Sequence, residues 1–172
     1  RSYLSTTSGN SLFLRGATIN GSEFDDNLSV SINLLPYVGN HIFHGLGGDD
    51  IITGNRGWDK LYGGAGNDKL YGDINGDKLY GGSGNDHLDG GFGDDTLDGG
   101  SGNDFLNGSF GNDILKGGTG DDTYIVDSTG DSVIESSSEG IDLIQSSVSY
   151  SSSNNVENLT LTGSNIIDGT GN

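Results

Sequence analysis

The chain of 172 residues contains no cysteine and no methionine, has a single proline, and carries 7 Lys and Arg against 25 Asp and Glu. Without cysteine there can be no disulfide, no thiolate zinc site and no cysteine nucleophile. The formal charge of −18 is opposite in sign to the charge that contacts phosphate backbones, which excludes nucleic-acid binding. No apolar run approaches the ~18 residues of a transmembrane helix, so we expect no membrane span.

Apolar side chains are also scarce. Leu, Ile, Val and Phe make up 42 of the 172 residues, only just above the ~20% below which a highly charged chain is expected to stay disordered. Burial of apolar surface alone therefore gives limited stabilisation. Together with the excess of negative charge, this indicates that bound cations complete the fold.

A nine-residue repeat fills the middle of the chain. Residues 45–125 divide into nine nonapeptides without a gap, and each begins with Gly. The sixth position is always Asp: Asp50, Asp59, Asp68, Asp77, Asp86, Asp95, Asp104, Asp113 and Asp122. The eighth position is always apolar: Ile52, Leu61, Leu70, Leu79, Leu88, Leu97, Leu106, Leu115 and Tyr124.

One apolar residue between two polar ones predicts a three-residue strand with one inward side chain, and the six glycine-rich residues predict a turn. The period of nine and the many glycines, each costing roughly 1 kcal/mol in a helix, exclude helices. Two strand–turn units form one flattened coil of 18 residues, whose strands stack in parallel on the next coil about 4.8 Å away. Alternate repeats therefore lie above one another.

This stacking places the sixth-position aspartates in two ladders. The first ladder is Asp50, Asp68, Asp86, Asp104 and Asp122, and the second ladder is Asp59, Asp77, Asp95 and Asp113. Carboxylates about 5 Å apart would repel by roughly 3 kcal/mol per pair at an effective dielectric of 20. Oxygen ligands without Cys or His favour Ca²⁺ over zinc or copper, and Mg²⁺ fits less well because it requires a strict octahedron. The gaps within the ladders predict about seven Ca²⁺ ions, which would reduce the charge from −18 to −4.

The repeats, such as Gly63-Gly64-Ala65-Gly66-Asn67-Asp68, closely resemble the RTX (repeats-in-toxin) nonapeptide G-G-x-G-x-D-x-U-x. The resemblance implies an all-β fold: a right-handed parallel β-roll, or two-sided β-solenoid, with irregular β flanks. It also implies that each Ca²⁺ is held by the sixth-position aspartates of two stacked turns together with backbone carbonyls of the turns, so that all nine aspartates are ligands. The carbonyls implied are those of Gly63, Gly64, Gly66, Gly81, Gly82, Gly84, Gly99, Gly100, Gly102 and Gly117.

Several repeats depart from the pattern, among them two repeats of the second ladder. The turns that begin at Gly54 and Gly72 lack the second glycine, so we expect weaker binding on the second ladder. The run Asp73-Ile74-Asn75-Gly76-Asp77 also suggests an EF-hand loop, although Lys78 replaces the required glycine and Gly84 the terminal Glu.

The flanks predict a division into an N-terminal β segment (1–35), the β-roll (36–134) and a C-terminal β capping or linker segment (135–172). Gly21–Ser29 resembles a decayed copy out of register, and 36–44 fits the frame with His41 in place of Asp. We expect 36–44 to cap the stack, although His41 and His44 leave a second metal site as an alternative. Since no secretion leader is visible and both ends run into repeat-like sequence, we expect the rest of a larger parent chain to be a partner.

The third positions of the turns differ between the two ladders. They are small beside the first ladder and large beside the second, where they are Arg56, Ile74, Phe92 and Phe110. Either residues 1–35 or the C-terminal strands pack over this bulky edge, or Phe92 and Phe110 form a docking stripe for another domain or a partner. On the outward strand face, lysines alternate with tyrosines, as in Lys60 and Tyr62, which is typical of a solvated strand face and less so of a carbohydrate platform.

Neither H-E-x-x-H nor G-x-S-x-G occurs in the sequence, and we expect no enzymatic activity. The main hypothesis is a calcium-binding module of a secreted or cell-surface protein of adhesin or surface-layer type, which folds after export. The alternative is a stabilising and secretion module of an extracellular enzyme, similar to those of serralysin-type proteases, lipases and alginate-modifying enzymes. The resemblance implies an extracellular or cell-surface location reached by type I secretion.

Overall fold

The computed structural model describes residues 18–29, 39–164 and 167–171, which form β-strands and turns without a helix. The strands are β1 (Thr18–Asn20), β2 (Asn27–Ser29), β3 (Ile42–Gly47), β4 (Ile51–Arg56), β5 (Lys60–Ala65), β6 (Lys69–Ile74), β7 (Lys78–Ser83), β8 (His87–Phe92), β9 (Thr96–Ser101), β10 (Phe105–Phe110), β11 (Ile114–Thr119), β12 (Thr123–Val126), β13 (Ser132–Ile134), β14 (Leu143–Ser146), β15 (Tyr150–Ser151), β16 (Asn158–Leu161) and β17 (Gly169–Thr170).

Alternate strands form two parallel sheets that face each other. One sheet has the order β1-β3-β5-β7-β9-β11-β13, and the other has the order β16-β14-β12-β10-β8-β6-β4-β2. Through the repeats each residue pairs with the residue 18 positions on, as Leu61 does with Leu79 and Leu70 with Leu88. The predicted all-β parallel β-roll with an 18-residue coil is thereby confirmed.

The strands of the repeats are longer than the sequence predicted. Each of β4 to β11 has six residues, from the seventh position of one repeat to the third position of the next, instead of three. The alternation of inward and outward residues continues from the eighth position to the glycine at the first position, which is buried in every one of these strands. A glycine can face inward there because it adds no side chain to a space already filled.

Left-handed backbone conformations shape the turns. All nine residues at the second position have positive φ, and so do eight of the nine at the fourth position. Glycine occupies most of these places, but Leu46, Asn55, Asp73 and Ser109 adopt φ between 63° and 81° at the second position. Three of these four belong to the second ladder, so its turns contain more of the strained residues that glycine would relieve.

The core consists of two columns of stacked apolar side chains. Every eighth-position residue of the nine repeats is fully buried. Phe43 extends one column, and Leu28 and Ile144 extend the other. Each coil therefore contributes two large apolar groups, and no coil has a core of its own.

Strands from both flanks join the same two sheets. The strands β1 and β2 pair with β3 and β4 at an offset of 24 residues, and β12 pairs with β14 at an offset of 20. The expectation that 36–44 caps the stack is wrong for its described part, because β3 lies between β1 and β5. Residues 1–17 and 36–38 lie outside the described residues, and the three-part division of the chain stays a prediction.

The bulky edge of the roll is exposed. The side chains of Phe92 and Phe110 stack with their ring centres 4.9 Å apart and are 57% and 65% exposed. Of the described C-terminal strands, β13, β14 and β16 continue the two sheets, and β15 and β17 form a two-stranded sheet of their own. None of them covers Phe92 and Phe110, so that form of the packing expectation is wrong. Packing by residues 1–17 or 30–35 falls outside the described residues, and the docking interpretation stays a prediction.

Leu88 provides a test of the core columns. We expect Leu88→Ala to lower the free energy of unfolding in saturating calcium by about 2–5 kcal/mol, because it leaves a cavity between stacked coils. Ile114→Ala is the control, since Ile114 lies at an outward position and is 43% exposed. Chemical denaturation followed by circular dichroism measures both, and equal losses would contradict the assignment of inward and outward positions.

Candidate metal centre

The predicted aspartate ladders are present, and backbone hydrogen bonds hold them. The backbone N–H of Asp68 donates to Oδ1 of Asp86 at 2.7 Å, and the N–H of Asp77 donates to Oδ1 of Asp95 at 2.6 Å. The same bond links each neighbouring pair of ladder aspartates, with N···O distances of 2.6–2.8 Å. One oxygen of each carboxylate is thus fixed by the coil that precedes it.

The other oxygen of each ladder aspartate is buried without a partner. The nine side chains are at most 3% exposed, and Oδ2 of every one of them lacks a hydrogen-bond donor. A buried carboxylate oxygen without a donor or cation is strongly unfavourable. Nine such atoms at equivalent places in two rows indicate a missing ligand of positive charge.

Carbonyl oxygens converge on these unpartnered atoms. A Cβ added to Gly54 would lie 2.9 Å from Oδ2 of Asp59 and 2.9 Å from the carbonyl oxygen of Gly72, one coil away. Only glycine at the first position leaves this space open. The same pair of groups surrounds the equivalent point at other turns of the roll, where the carbonyls are those of Gly63, Gly81, Gly99 and Gly117.

The remaining predicted carbonyls lie in the turns and point along the stack in the opposite direction. A Cβ added at the second or fourth position of a turn would meet the carbonyl oxygen of the equivalent residue in the preceding coil. First-position carbonyls therefore point back to the preceding coil, and second- and fourth-position carbonyls point forward to the next. The glycines of this second group are Gly64, Gly66, Gly82, Gly84, Gly100 and Gly102.

Burial makes the ladder carboxylates hard to ionise. Removal from water is the largest cause that raises the pKa of Asp77 to about 8, and the neighbouring carboxylates of Asp59 and Asp95 raise it further. The same main cause raises the pKa values of Asp104 and Asp113 to about 7 and those of Asp50, Asp86, Asp95 and Asp122 to about 6. The folded ladders therefore hold protons up to a higher pH than ordinary aspartates do, and a bound cation would offset the same cost of burying negative charge.

Little positive charge of the protein reaches the ladders. Within the described part of the chain, His41 alone forms an ion pair with a ladder aspartate, its Nδ1 lying 3.2 Å from Oδ1 of Asp59. The only other ion pair there joins Lys116 to Asp98 on the outward strand face, at 3.3 Å. The lysines thus lie on the outward strand face, as the sequence predicted, and away from the buried carboxylates.

A row of exposed fifth-position side chains runs beside the buried aspartates and is also linked by backbone hydrogen bonds. The backbone N–H of Asn85 donates to the side-chain oxygen of Asn67 at 2.9 Å, and the N–H of Asn103 donates to that of Asn85 at 2.8 Å. These fifth-position residues bond in the opposite direction along the stack from the aspartates. Carboxylates belong to this row as well, since the N–H of Asn67 donates to Asp49 and the N–H of Asn112 donates to Asp94. Asp49 and Asp94 are exposed, so water solvates their charge, which it cannot do for the buried ladder aspartates.

The structure extends both ladders at each end of the nine repeats. The N–H of Asp26 donates to Asp50 at one end of the first ladder, and the N–H of Asp122 donates to Asp142 at the other. The second ladder begins at His41 and continues to Asp131, whose Oδ1 accepts from the N–H of Asp113. The nine-residue frame does not include Asp26 and Asp142, because they lie 24 residues before Asp50 and 20 residues after Asp122.

The EF-hand alternative is wrong in its geometry. Asp73 and Ile74 belong to β6, and Lys78 begins β7, whereas an EF-hand loop lies between two helices. His41 is buried at the start of the second ladder with its Nε2 unpartnered. His44 lies on the outward face and stacks on Tyr62 with ring centres 4.8 Å apart, so the two histidines do not converge on one metal.

The donor set fits calcium. At the first-position glycines of most repeats the nearest groups are an aspartate Oδ2 and a backbone carbonyl oxygen of the next coil, and each ladder aspartate offers one oxygen without a hydrogen-bond donor. Hard oxygen ligands in a flexible number are the ligands that Ca²⁺ takes. The nine aspartates and the turn glycines are those predicted, and their role as ligands stays a prediction.

Comparison with known families and proteins agrees with this chemistry. The family model for the RTX calcium-binding nonapeptide repeat (4 copies) matches residues 39–70, 71–106 and 98–133. These segments together cover more than half of the chain. No curated protein matches it, and the described residues include no helix that could cross a membrane.

The raised pKa values predict how the calcium-free chain responds to pH. Since the folded-state pKa values lie above the ordinary value of 3.8, protonation favours the folded state, and this stabilisation is lost as the pH rises through about 6 to 8. We expect the chain in chelator to show its β-sheet signal near pH 5 and to lose it towards pH 8. Circular dichroism, with light scattering to control for precipitation, measures this. Folding in chelator that improves as the pH rises would contradict it.

Asp86→Asn should have opposite effects with and without calcium. In saturating calcium we expect it to lower the free energy of unfolding by roughly 1–3 kcal/mol, since a charged oxygen ligand is lost. In chelator we expect it to stabilise the folded state, because it removes one buried charge from the first ladder. Asp98→Asn removes the same charge from a partly exposed ion pair on the outward strand face and should change stability by less than about 1 kcal/mol in either condition. A loss of stability for Asp86→Asn in both conditions would contradict the account.

Proposed function

The chain belongs to the RTX calcium-binding nonapeptide repeat family, and from this we propose that it is a calcium-dependent β-roll module of a secreted or cell-surface protein. The module folds when calcium binds after export. The observation that carries the proposal is the row of buried Oδ2 atoms that no described donor satisfies. Repeats of this family form a structural calcium-binding module.

The calcium dependence follows from what the coils lack without the ion. Each coil buries only two large apolar side chains, and this burial stabilises the coil far less than the loss of conformational entropy of its 18 residues destabilises it. Each coil also brings two carboxylates into contact with those of its neighbours. Binding of Ca²⁺ between the coils removes that repulsion and supplies folding free energy directly.

The extracellular location is supported by two properties. RTX repeats are typical of secreted proteins, and the family match shows that this chain contains such repeats. Extracellular calcium modules work with dissociation constants of about 10⁻⁴–10⁻³ M, so such a chain stays unfolded where calcium is sub-micromolar and folds outside the cell. Type I secretion as the export route is part of this proposal.

We assign the module to a structural role of adhesin or surface-layer type. The two sheets continue past the nine repeats through β1 and β2 on one side and through β13, β14 and β16 on the other. One continuous stack of coils is a rigid spacer whose stiffness depends on calcium. The ladder aspartates serve this stack, and we infer no catalytic role for them.

Calcium titration tests the proposal. In chelator at neutral pH we expect a disordered circular dichroism spectrum and a radius of gyration of about 44 Å, the value for an unfolded chain of this length. In millimolar Ca²⁺ we expect a β-sheet spectrum and a radius of gyration of less than roughly half that value. Mg²⁺ at the same concentration is the control and should compact the chain much less. A compact β-sheet chain in chelator at neutral pH would refute the calcium-dependent folding.

A further inference from the structure

Beyond the last repeat, the first position of the frame on the first ladder is no longer occupied by glycine. Counted from Gly117, the first position of the next coil falls at Glu135, where every repeat has glycine. In the preceding coils a Cβ added to the first-position glycine meets Oδ2 of the aspartate in its own turn, and in most of them it also meets the next coil's carbonyl oxygen. At Gly117 the two nearest atoms are Oδ2 of Asp122 and the hydroxyl of Tyr124. The tyrosine hydroxyl thus stands where a backbone carbonyl stands elsewhere.

The carboxylate of Glu135 lies beside the Tyr124 hydroxyl. Its side chain is 9% exposed, its Oε1 accepts a hydrogen bond from the Tyr124 hydroxyl, and its Oε2 is buried without a partner. The backbone N–H of Gly117 donates to the Tyr124 hydroxyl at 2.8 Å, which fixes the ring. The glutamate is therefore held in position with one free oxygen, as each ladder aspartate is.

Two further carboxylates complete the cluster. Asp122 and Asp142 are each 1% exposed, and the N–H of Asp122 donates to Oδ1 of Asp142 at 2.9 Å. One carboxylate oxygen from each of Asp122, Glu135 and Asp142 lies within 4.8 Å of the others. Oδ2 of Asp122 has no partner either. Two unpartnered oxygens on side chains at least nine-tenths buried belong to this single cluster.

We propose that Asp122, Glu135 and Asp142 form a separate divalent-cation site at the C-terminal end of the first ladder. It differs from the sites of the repeats because three side-chain carboxylates and the Tyr124 hydroxyl surround it, with a glutamate in place of the next coil's glycine. The inference rests on the proposed function in taking Ca²⁺ as the ion. The bound ion joins the segment between β13 and β14 to the last repeat and closes the ladder.

The charges of the cluster support a cation. Neither of the two ion pairs within the described part of the chain involves any of the three carboxylates. Burial is the main cause that raises the pKa of Glu135 to about 8, and the carboxylates of Asp142 and Asp122 raise it further. Three acids in one buried place are more stable around a divalent ion than around each other.

Calcium stoichiometry in the folded chain tests the site. We expect Glu135→Gln to bind one Ca²⁺ fewer per chain than the unaltered protein in equilibrium dialysis at saturating calcium, with the β-sheet spectrum retained. The control Asp98→Asn, which removes a partly exposed charge on the outward strand face, should bind the full number. An unchanged number for Glu135→Gln would overturn this inference alone, whereas an unaltered chain that binds no calcium would overturn the proposed function.

Terbium luminescence locates the ion by its distance from Tyr124, so this test does not depend on Glu135→Gln alone. In a Trp58→Phe background, which removes the exposed indole, Tb³⁺ beside Tyr124 should give emission sensitised by that tyrosine. We expect Tyr124→Phe to remove one component of this emission, and the same component to be absent from Glu135→Gln. Emission that Tyr124→Phe leaves unchanged would place the ion elsewhere and overturn the proposal.

Discussion

The structure depends on carboxylates that are stacked and buried at the same time. Each ladder aspartate uses Oδ1 to accept a backbone N–H from the preceding coil and leaves Oδ2 without a donor. The hydrogen bond holds each aspartate beside the neighbouring ladder carboxylates. In this position burial and repulsion both make its negative charge unfavourable. One residue type therefore both sets the register of the coils and makes their stacking conditional on a proton or a metal ion.

The glycines make this arrangement possible. At the first position they leave the space into which an aspartate oxygen and a carbonyl of the next coil both point, as at Gly54 and Gly72. At the second and fourth positions they allow the left-handed turns that aim carbonyls along the stack, as at Gly64 and Gly66. The scarcity of apolar residues agrees with this construction, because each coil has only two large inward side chains.

The sequence was sufficient for the repeating part, because its regular period leaves one arrangement of strands. The coil length, the columns of Leu61 and Leu70 and the two aspartate ladders all follow from residues recurring at fixed spacing. The ends were not predictable in this way. Asp26 and Asp142 enter the first ladder across insertions that shift their offsets, and Glu135 appears in sequence only as a lost glycine. Strand length was also underestimated, since the inward alternation passes through a glycine that carries no hydrophobic signal.

The central claim is that calcium lies between successive aspartates of the two ladders, and anomalous X-ray diffraction from crystals grown in calcium tests it most directly. The account predicts two rows of anomalous peaks, each peak between the carboxylates of one coil and the carbonyls of the next, beside Asp68 and Asp86 on one edge and Asp77 and Asp95 on the other. Aspartate oxygens in contact only with water, with no anomalous peak between the coils, would contradict it.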